Sequence, residues 1–385
     1  MFFNNNSTYP VGLDISDLSL KLVQLNKQGD KIKIQAIGKV DLPSGLIEDG
    51  EIKNKDKVIN EINKLISNPG YGKVTSNEII ACLPETKTFI KLIEIAKTPN
   101  PLSEIIEDEI EKHVPMAIEE IYYDWQIIEN KPDKQRVLIG AAPLDIVNQY
   151  INLLDGAKLS TTALEIEPIS LCRALLAEEK PKFKGQPNNN YGIIDIGAKR
   201  TSMTIYSKNT ILFTLSMPIS GEKITKNIAE TLKIELKQAE KAKIICGLDK
   251  GKAQGIIKNI LSGMIEELIK KINEAIEFYQ NHYPGNGPLN KILLCGGGAN
   301  IKNLSEIIGQ ATAVEVKKGN ALINLAELSE NFSKILTETH KLKADFIKDK
   351  NNGGGEKIIS VAQDTSLTYA TAIGLALRGI FIDEI

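Results

Sequence analysis

Hydrophobic and polar positions divide the chain into strand-like and helix-like stretches. Residues 11–25 and 31–40 alternate apolar and polar side chains on either side of a turn at Gly29, which predicts a β-hairpin. Residues 53–68 instead carry apolar side chains at helical spacing, and residues 78–83 form a short apolar strand. Two strands, a helix and a further strand in this order indicate an α/β lobe.

The pattern changes over residues 85–155. A strand, a helix with an acidic outer face, two more strands and a second helix follow one another there, which predicts a compact α+β insertion. Residues 160–177 predict a strand and helix that return the chain to the first lobe. Residues 178–190, rich in Lys, Pro and Asn, are typical of a linker.

The second half of the chain repeats the strand pattern of the first. Paired strands are predicted over 191–217, a lysine-rich helical region over 222–283, and a strand over 289–295 that ends in three glycines. In each half an apolar strand carries an aspartate, Asp14 or Asp195, just before a tight turn into a second strand. A repeat of this kind predicts two similar lobes.

Four structural parts are therefore predicted, and a polar segment at 329–355 is expected to be a surface excursion. The parts are 9–84 plus 156–190 for a first lobe, 85–155 for an inserted α+β subdomain, 191–221 plus 289–385 for a second lobe, and 222–288 for a helical subdomain.

Composition excludes several classes of protein. Lys and Arg total 47 against 49 acidic residues, for a net charge of −2, so no nucleic-acid partner is expected. No run without Asp, Glu, Lys or Arg exceeds 13 residues, so no membrane-spanning helix and no direct membrane insertion are expected. The N-terminus does not resemble a secretory signal. Four cysteines, far apart in the sequence, are typical of buried thiols in a reducing, cytosolic protein.

Two facing turns, each with an aspartate, suggest a phosphate site. Backbone N–H groups in turns accept phosphate oxygens, but Asp14 and Asp195 would repel those phosphates unless a divalent cation lay between them. Magnesium suits this role, because one or two carboxylates and phosphate oxygens usually hold it. Lys21 either adds positive charge to this site or is an ordinary solvated strand lysine. The glycines at 296–298 leave room for a base or ribose against the backbone.

These motifs resemble those of the actin-like ATPase superfamily. Residues 12–23 look like its first phosphate motif, 195–198 like its second and 294–299 like its adenosine motif. Residues 164–175 and 372–379 resemble its connecting helices. Within the superfamily the match is closer to FtsA and closest to the PilM family of type IV pilus assembly proteins. The resemblance implies an α/β fold of duplicated actin-like (ribonuclease H-like) lobes with an FtsA/PilM-type α+β inserted subdomain.

The resemblance also implies roles for individual residues. Asp14 and Asp195 would hold Mg²⁺ through water on opposite sides, and Lys21 would touch the β- or γ-phosphate of ATP. Glu167 would lie near the water shell, as the third catalytic residue, or be a simple first-turn acid of a helix. The implied ATP-binding residues are Gly12, Asp14, Ser16, Lys21, Asp195, Gly197, Ala198, Lys199, Gly296, Gly297 and Gly298.

Two positions depart from the family pattern. Asp17 stands in the first phosphate turn, where a small residue is usual. Two like charges 4 Å apart repel by about 4 kcal/mol at an effective dielectric of about 20, so Asp17 must turn away or join the metal shell. Ala198 replaces a second acid that in actin helps to hold the attacking water. ATP binding with slow or no hydrolysis is therefore expected.

The resemblance finally implies a cellular role. It is that of a cytoplasmic ATP-binding scaffold, held by protein partners at the inner-membrane platform of a type IV pilus or of a related secretion or DNA-uptake system. The N-terminal peptide of a PilN-like membrane protein would dock between the first lobe and the insertion. Phe89, Ile90 and Ile93 either line that groove or form an ordinary strand core. Pilus motor ATPases and further copies of the chain are other implied partners. The alternatives are an FtsA-like filament former in cell division and a small-molecule kinase of the same superfamily.

Overall fold

The computed structural model describes residues 8–99, 101–177, 189–217, 219–325 and 363–381. They belong to two compact units. The first unit comprises Met1–Glu178 and Ala321–Ile385, and the second unit comprises Glu179–Asn320. No helix in the described ranges is long and apolar enough to cross a membrane. The predicted excursion at 329–355 and residues 178–188 of the predicted linker lie outside the described residues.

The elements of the chain follow in order. Up to residue 177 they are β1 (Val11–Ser16), β2 (Ser19–Gln28), β3 (Lys31–Asp41), β4 (Ile47–Glu48), β5 (Glu51–Ile52), α1 (Lys55–Ser67), β6 (Tyr71–Gly72), β7 (Glu78–Leu83), β8 (Phe89–Ala96), α2 (Leu102–His113), β9 (Ile121–Asn130), β10 (Lys134–Pro143), α3 (Leu144–Gly156), β11 (Ser160–Ile166) and α4 (Glu167–Leu175). After residue 189 they are β12 (Tyr191–Ile196), β13 (Thr201–Ser207), β14 (Thr210–Met217), α5 (Gly221–Leu232), α6 (Leu236–Cys246), α7 (Ile256–His282), β15 (Lys291–Cys295), α8 (Leu304–Thr312), β16 (Glu315–Lys318) and α9 (Ala370–Ile380).

The first unit is built on a six-stranded sheet in the order β11-β7-β1-β2-β3-β6. Strand β1 pairs antiparallel with β2 and parallel with β7, so it is an interior strand of this sheet. Odd-numbered residues of β1, such as Leu13, share a core with α1 and α3. Even-numbered residues, such as Gly12, point to α9 on the other face. The alternation along β1 therefore sets which side chains can form a site on the α9 side.

The insertion is a three-stranded antiparallel sheet in the order β8-β10-β9, with α2 packed on one face. Helix α2 contributes Ile106 and Ile110, both fully buried, to this small core. The predicted end of the insertion at residue 155 differs from the structure. Helix α3 buries Tyr150 and Leu154 in the core of the six-stranded sheet, so the separate α+β part ends at β10.

The second unit has a five-stranded sheet in the order β14-β13-β12-β15-β16. Strand β12 pairs antiparallel with β13 and parallel with β15, which is the arrangement of β1 between β2 and β7. The long helix α7 buries one face through Leu261, Ile265 and Leu268. The predicted repeat of a strand hairpin beside a parallel strand is thus present once in each unit.

The last helix is the main correction to the predicted boundaries. Residues 289–385 were expected in the second lobe, but α9 belongs to the first unit. It packs on β1 and α4 at two glycines. A Cβ on Gly12 would lie 2.3 Å from the Ala372 oxygen, and a Cβ on Gly374 would lie 1.9 Å from the Ser170 oxygen. These contacts between residues far apart in sequence require glycine, because any side chain would overlap backbone atoms.

Candidate functional site

Asp14 lies in β1, close to the turn into β2, and is almost fully buried. The antiparallel register places it opposite Lys21. The Lys21 ammonium donates to Asp14 Oδ2 at 2.6 Å, and the Ser16 hydroxyl donates to Oδ1 at 2.7 Å. The Lys21 side chain is only 12% exposed, so it is a partner of Asp14 and not a solvated strand lysine. The three predicted residues of the first turn therefore form one connected group.

Cys82 joins this group from the parallel strand β7. Its thiol lies 3.9 Å from Asp14 Oδ1 and donates to it. Burial raises the pKa of Cys82 well above its ordinary value, and the negative charges of Asp14 and Glu167 raise it further. Sequence reasoning treated Cys82 as one of four inert buried thiols. The available signal was its position at the end of the strand that runs beside β1.

Glu167 is the first residue of α4, so it is a first-turn acid of a helix, which was one of the two alternatives for this residue. It also belongs to the group around Asp14. One ligand atom each of Asp14, Cys82 and Glu167 lies within 4.8 Å of the others. The Thr371 hydroxyl, in α9, donates to Glu167 Oε1 at 3.2 Å. Strands β1 and β7 and helices α4 and α9 thus all contribute to one polar cluster.

Asp17 does not belong to this cluster. Its carboxylate accepts a hydrogen bond from the Gly50 backbone N–H at 2.9 Å, in the turn between β4 and β5. Of the two expectations for Asp17, to turn away or to join the metal shell, the structure therefore shows the first. Gly12, predicted to approach ATP, instead uses its missing side chain to admit α9.

The second turn, in the second unit, follows β12. Asp195 lies opposite Ser202 in the hairpin register, and the Cys295 thiol donates to Asp195 Oδ1 at 3.7 Å. The turn is joined to the start of α5, because the Gly221 N–H donates to the Gly197 oxygen at 3.0 Å. The backbone of the turn is therefore held by its own unit.

Two cations near this turn are already paired. The Lys199 ammonium lies 2.6 Å from Glu222, so the charge predicted to anchor phosphate is partly neutralised. Hydrogen bonds from Lys199 and Lys226 lower the pKa of Glu222. Sequence reasoning missed Lys243, which is buried in α6 and donates to the Gly221 oxygen at 3.1 Å. Nothing in the sequence distinguishes Lys243 from the other lysines of this helical region. Its hydrogen bond stabilises the start of α5.

The three glycines after β15 have different surroundings. A Cβ on Gly296 would lie 2.2 Å from Asp195 Oδ1, and a Cβ on Gly298 would lie 2.2 Å from Ile196 Cγ2. Nothing lies within 4 Å of a Cβ on Gly297. Two of the glycines are thus required by packing on β12, and only Gly297 leaves open space beside the backbone.

The predicted groove residues do not share one surface. Phe89 and Ile93 point to the core under α2, so for these two the alternative of an ordinary strand core applies. Ile90 is buried on the opposite face of β8. On that face Gly140, the cross-strand partner of Ile90, approaches Ile166 of the six-stranded sheet. Only Ile90 therefore lies where the insertion adjoins the rest of the first unit.

Comparison with known proteins gives the family. The family model for type IV pilus assembly protein PilM matches residues 12–345. A solved PilM-PilN type IV pilus biogenesis complex contains a chain that superposes with a TM-score of 0.74 at 20% identity, covering 97% of this chain and 98% of that one. The duplicated actin-like fold expected from the sequence is confirmed.

Two cell division proteins are also similar in sequence. FtsA of Bacillus subtilis is 23% identical over 265 residues, which are 62% of this chain and 58% of that protein. FtsA of Streptococcus pneumoniae is 22% identical over 395 aligned positions, covering 89% of this chain and 83% of the relative. The family match extends over most of the chain, and the fold agrees with it. The chain therefore belongs to the family of type IV pilus assembly protein PilM.

Proposed function

We propose that this chain is an ATP-binding scaffold of a type IV pilus assembly platform. In this proposal MgATP binds to the turns that carry Asp14 and Asp195, and the insertion binds the N-terminal peptide of a PilN-like inner-membrane protein. The chain acts at the cytoplasmic face of that membrane through this partner. The family membership supports the pilus assignment.

The observation that carries the nucleotide proposal is the equivalence of the two aspartates. Each lies within two residues of the end of the first strand of a hairpin, and each accepts a thiol hydrogen bond from the neighbouring parallel strand, from Cys82 or from Cys295. A core does not need a carboxylate at this place in both units, and burying one, as at Asp14, costs free energy. A bound cation and phosphates offset that cost.

The first turn fits a hydrated magnesium ion. Asp14 and Glu167 offer carboxylate oxygens in one buried cluster, and oxygen is the ligand that Mg²⁺ prefers. Lys21, 2.6 Å from Asp14, supplies a positive charge for a phosphate oxygen. Magnesium, when bound, neutralises phosphate charge. Gly297 leaves space for adenosine, while Gly296 and Gly298 hold their loop against β12.

Hydrolysis is expected to be slow. Ala198 has no group that can accept a proton or orient water. Lys199 beside it is engaged with Glu222 at 2.6 Å. The second turn thus lacks an acid at position 198 to orient the attacking water, which suits a scaffold whose nucleotide state changes rarely.

Equilibrium binding of ATP, with and without Mg²⁺, tests this part of the proposal. Asp14→Asn and Asp195→Asn should each weaken magnesium-dependent binding at least tenfold, because each removes one charge from the cation site. Asp17→Asn is the matched control, since Asp17 is also buried in the first turn but faces Gly50. Absence of ATP binding by the wild-type chain, or equal binding by all three variants, would refute the proposal.

The peptide site is proposed on the face of the inserted sheet that carries Ile90. Leu138 is only half-buried and shares this face with Gly140, which approaches Ile166 of the six-stranded sheet. Leu138→Asp should abolish binding of a PilN-like N-terminal peptide, as measured by fluorescence anisotropy. Ile127→Asp, an exposed apolar position on β9, should leave binding unchanged.

A second variant removes the insertion without disturbing α3. Phe89 and Ala141 are cross-strand partners, so a short Gly-Ser linker can join Thr88 to Ala142. This variant should keep ATP binding and lose the peptide. Peptide binding by a folded deletion variant would contradict the proposed location.

A filament-forming role remains the second candidate, because the two curated relatives described above are FtsA proteins. Sedimentation of the chain with MgATP distinguishes the two roles. A scaffold stays in the supernatant at micromolar concentration, whereas a filament former enters the pellet. Pelleting that depends on Asp14 would favour the filament role.

A further inference from the structure

We propose that Asp14, Cys82 and Glu167 form a binding site for a divalent cation that binds thiolate sulfur, such as Zn²⁺. This site would be filled without nucleotide, by direct coordination. Its regulatory meaning rests on the proposed function, because a cation bound directly to Asp14 would occupy the place of MgATP. The binding itself does not depend on that function.

The positions of the three donors support direct coordination. Their ligand atoms lie within 4.8 Å of one another, and Asp14 and Cys82 are both buried. Tetrahedral ligands at ~2.0 Å for oxygen and ~2.3 Å for sulfur lie about 3.5 Å apart. The Cys82 sulfur is 3.9 Å from Asp14 Oδ1, so this pair needs to move by only a few tenths of an ångström.

The charges balance when the thiol proton leaves. The divalent cation replaces the proton on Cys82 with a metal–sulfur bond, and the proton passes to water; no electron is transferred. One thiolate and two carboxylates then carry three negative charges. The cation contributes two positive charges and Lys21, which lies 2.6 Å from Asp14 Oδ2, contributes the third.

The neighbours of the donors hold them in place. Ser16 and Lys21 donate to the two oxygens of Asp14, and Thr371 donates to Glu167 Oε1 at 3.2 Å. Hydrogen bonds of this kind orient metal ligands and strengthen binding. Three protein ligands leave a fourth tetrahedral position for water.

The thiol is what separates this site from a magnesium site. Thiolate sulfur selects Zn²⁺ and similar ions, whereas Mg²⁺ takes oxygen ligands. The chain also contains an internal comparison, because Cys295 faces Asp195 at 3.7 Å in the same way. Among the described residues, only the cluster around Asp14 brings three ligating residues together. Cys295 therefore lacks a third ligand and is the matched control.

Titration of the full, nucleotide-free chain with Cd²⁺ tests the inference, because Cd²⁺ bound to thiolate gives an ultraviolet charge-transfer band. Wild-type chain and the Cys295→Ser variant should show a saturable band at one equivalent. Cys82→Ser should lose this band and bind Cd²⁺ at least tenfold more weakly, by calorimetry. The band is measured without nucleotide, and ATP binding by the wild-type chain is measured separately, so failure of this inference and failure of the proposed function are distinguishable.

Glu167→Gln covers the case in which Cys82→Ser does not fold. It should keep the thiolate band at saturating Cd²⁺ but require at least tenfold more metal, because one charged ligand is lost. Zn²⁺ should displace Cd²⁺ and erase the band. An unchanged band in Cys82→Ser, an unchanged midpoint in Glu167→Gln, or a band that requires added nucleotide would each overturn the inference.

Discussion

Arg173 holds the carboxylate of Glu165 with two parallel hydrogen bonds of 2.7 and 2.8 Å. Glu165 is buried near the end of β11, and Arg173 lies on α4, the helix that follows. Arg378 of α9 adds a third bond to the same carboxylate at 3.0 Å. Two of the chain's four arginines thus meet on one buried glutamate, which ties α4 and α9 to the sheet.

Replacing Glu165 should destabilise the first unit. Glu165→Leu leaves two guanidinium groups without their shared anion, and breaking a buried ion pair costs about 3 kcal/mol. Urea denaturation measures this as a lower transition midpoint. Glu94→Leu, at an exposed pair with Lys134, should leave the midpoint unchanged. A stable Glu165→Leu variant would mean that packing alone holds α9.

Replacing either of two helical glycines by alanine should change the stability of the chain, in opposite directions. Gly374→Ala places a methyl group 1.9 Å from the Ser170 oxygen, so α4 and α9 must separate. We expect a loss of about 3 kcal/mol or more, as overpacked cores show. Gly263 lies in α7 with nothing within 4 Å of its Cβ. Gly263→Ala should therefore raise stability by about 0.5–1 kcal/mol, because alanine favours helix. The melting temperatures of the two variants, compared with that of the wild-type chain, test both expectations.

The glycine triplet offers a test that separates folding from binding. Gly298→Ala should destabilise the second unit, because its methyl group would overlap Ile196. Gly297→Ala should leave the melting temperature unchanged and weaken ATP binding if adenosine lies against it. Calorimetry and ATP titration on the same samples give both answers. A Gly297→Ala chain with wild-type ATP affinity would remove this glycine from the proposed site.

The cysteines should differ in reactivity. Burial raises the pKa of Cys172 to about 12, so at pH 8 about one molecule in ten thousand carries the thiolate. Cys246 is more exposed and should be alkylated first by iodoacetamide, as mass spectrometry can show. Fast labelling of Cys172 in the folded chain would contradict its burial.

The same shift has a consequence for stability at high pH. The unfolded thiol ionises near its ordinary pKa, whereas the folded Cys172 keeps its proton up to about 12. Above the ordinary thiol pKa the unfolded state binds fewer protons, so stability falls as the pH rises. The free energy of unfolding at pH 8 and pH 10.5, in wild type and Cys172→Ala, measures this slope.

Local patterns predicted the grouping of side chains around Asp14 better than they predicted the domain boundaries. Asp14, Ser16 and Lys21 could be grouped from sequence, because a hairpin register follows from its turn. Charge repulsion left two alternatives for Asp17, turning away or joining the metal shell, and its hydrogen bond to Gly50 decides between them. The two sequence-based inferences needed only residues that are close in the chain.

The remaining features depend on contacts that sequence spacing does not reveal. Helix α9 is apolar on all sides, so its sequence pattern does not indicate which element it packs against. The sequence around Gly12 likewise does not show whether this glycine faces a phosphate or a helix. Cys82 resembled any small core residue until β7 was placed beside β1. The groove prediction overlooked strand alternation, which puts Ile90 and Ile93 on opposite faces.

The discontinuity of the first unit sets an order of events during synthesis. Strand β1 leaves the ribosome early, but α9, which covers one of its faces, is made only after the whole second unit. About 360 residues separate β1 from α9, so at ~5–20 residues per second this interval is on the order of 20–70 s. During this interval the face of the six-stranded sheet that α9 packs against is exposed. A nascent chain stalled before α9 is therefore a natural substrate for chaperones.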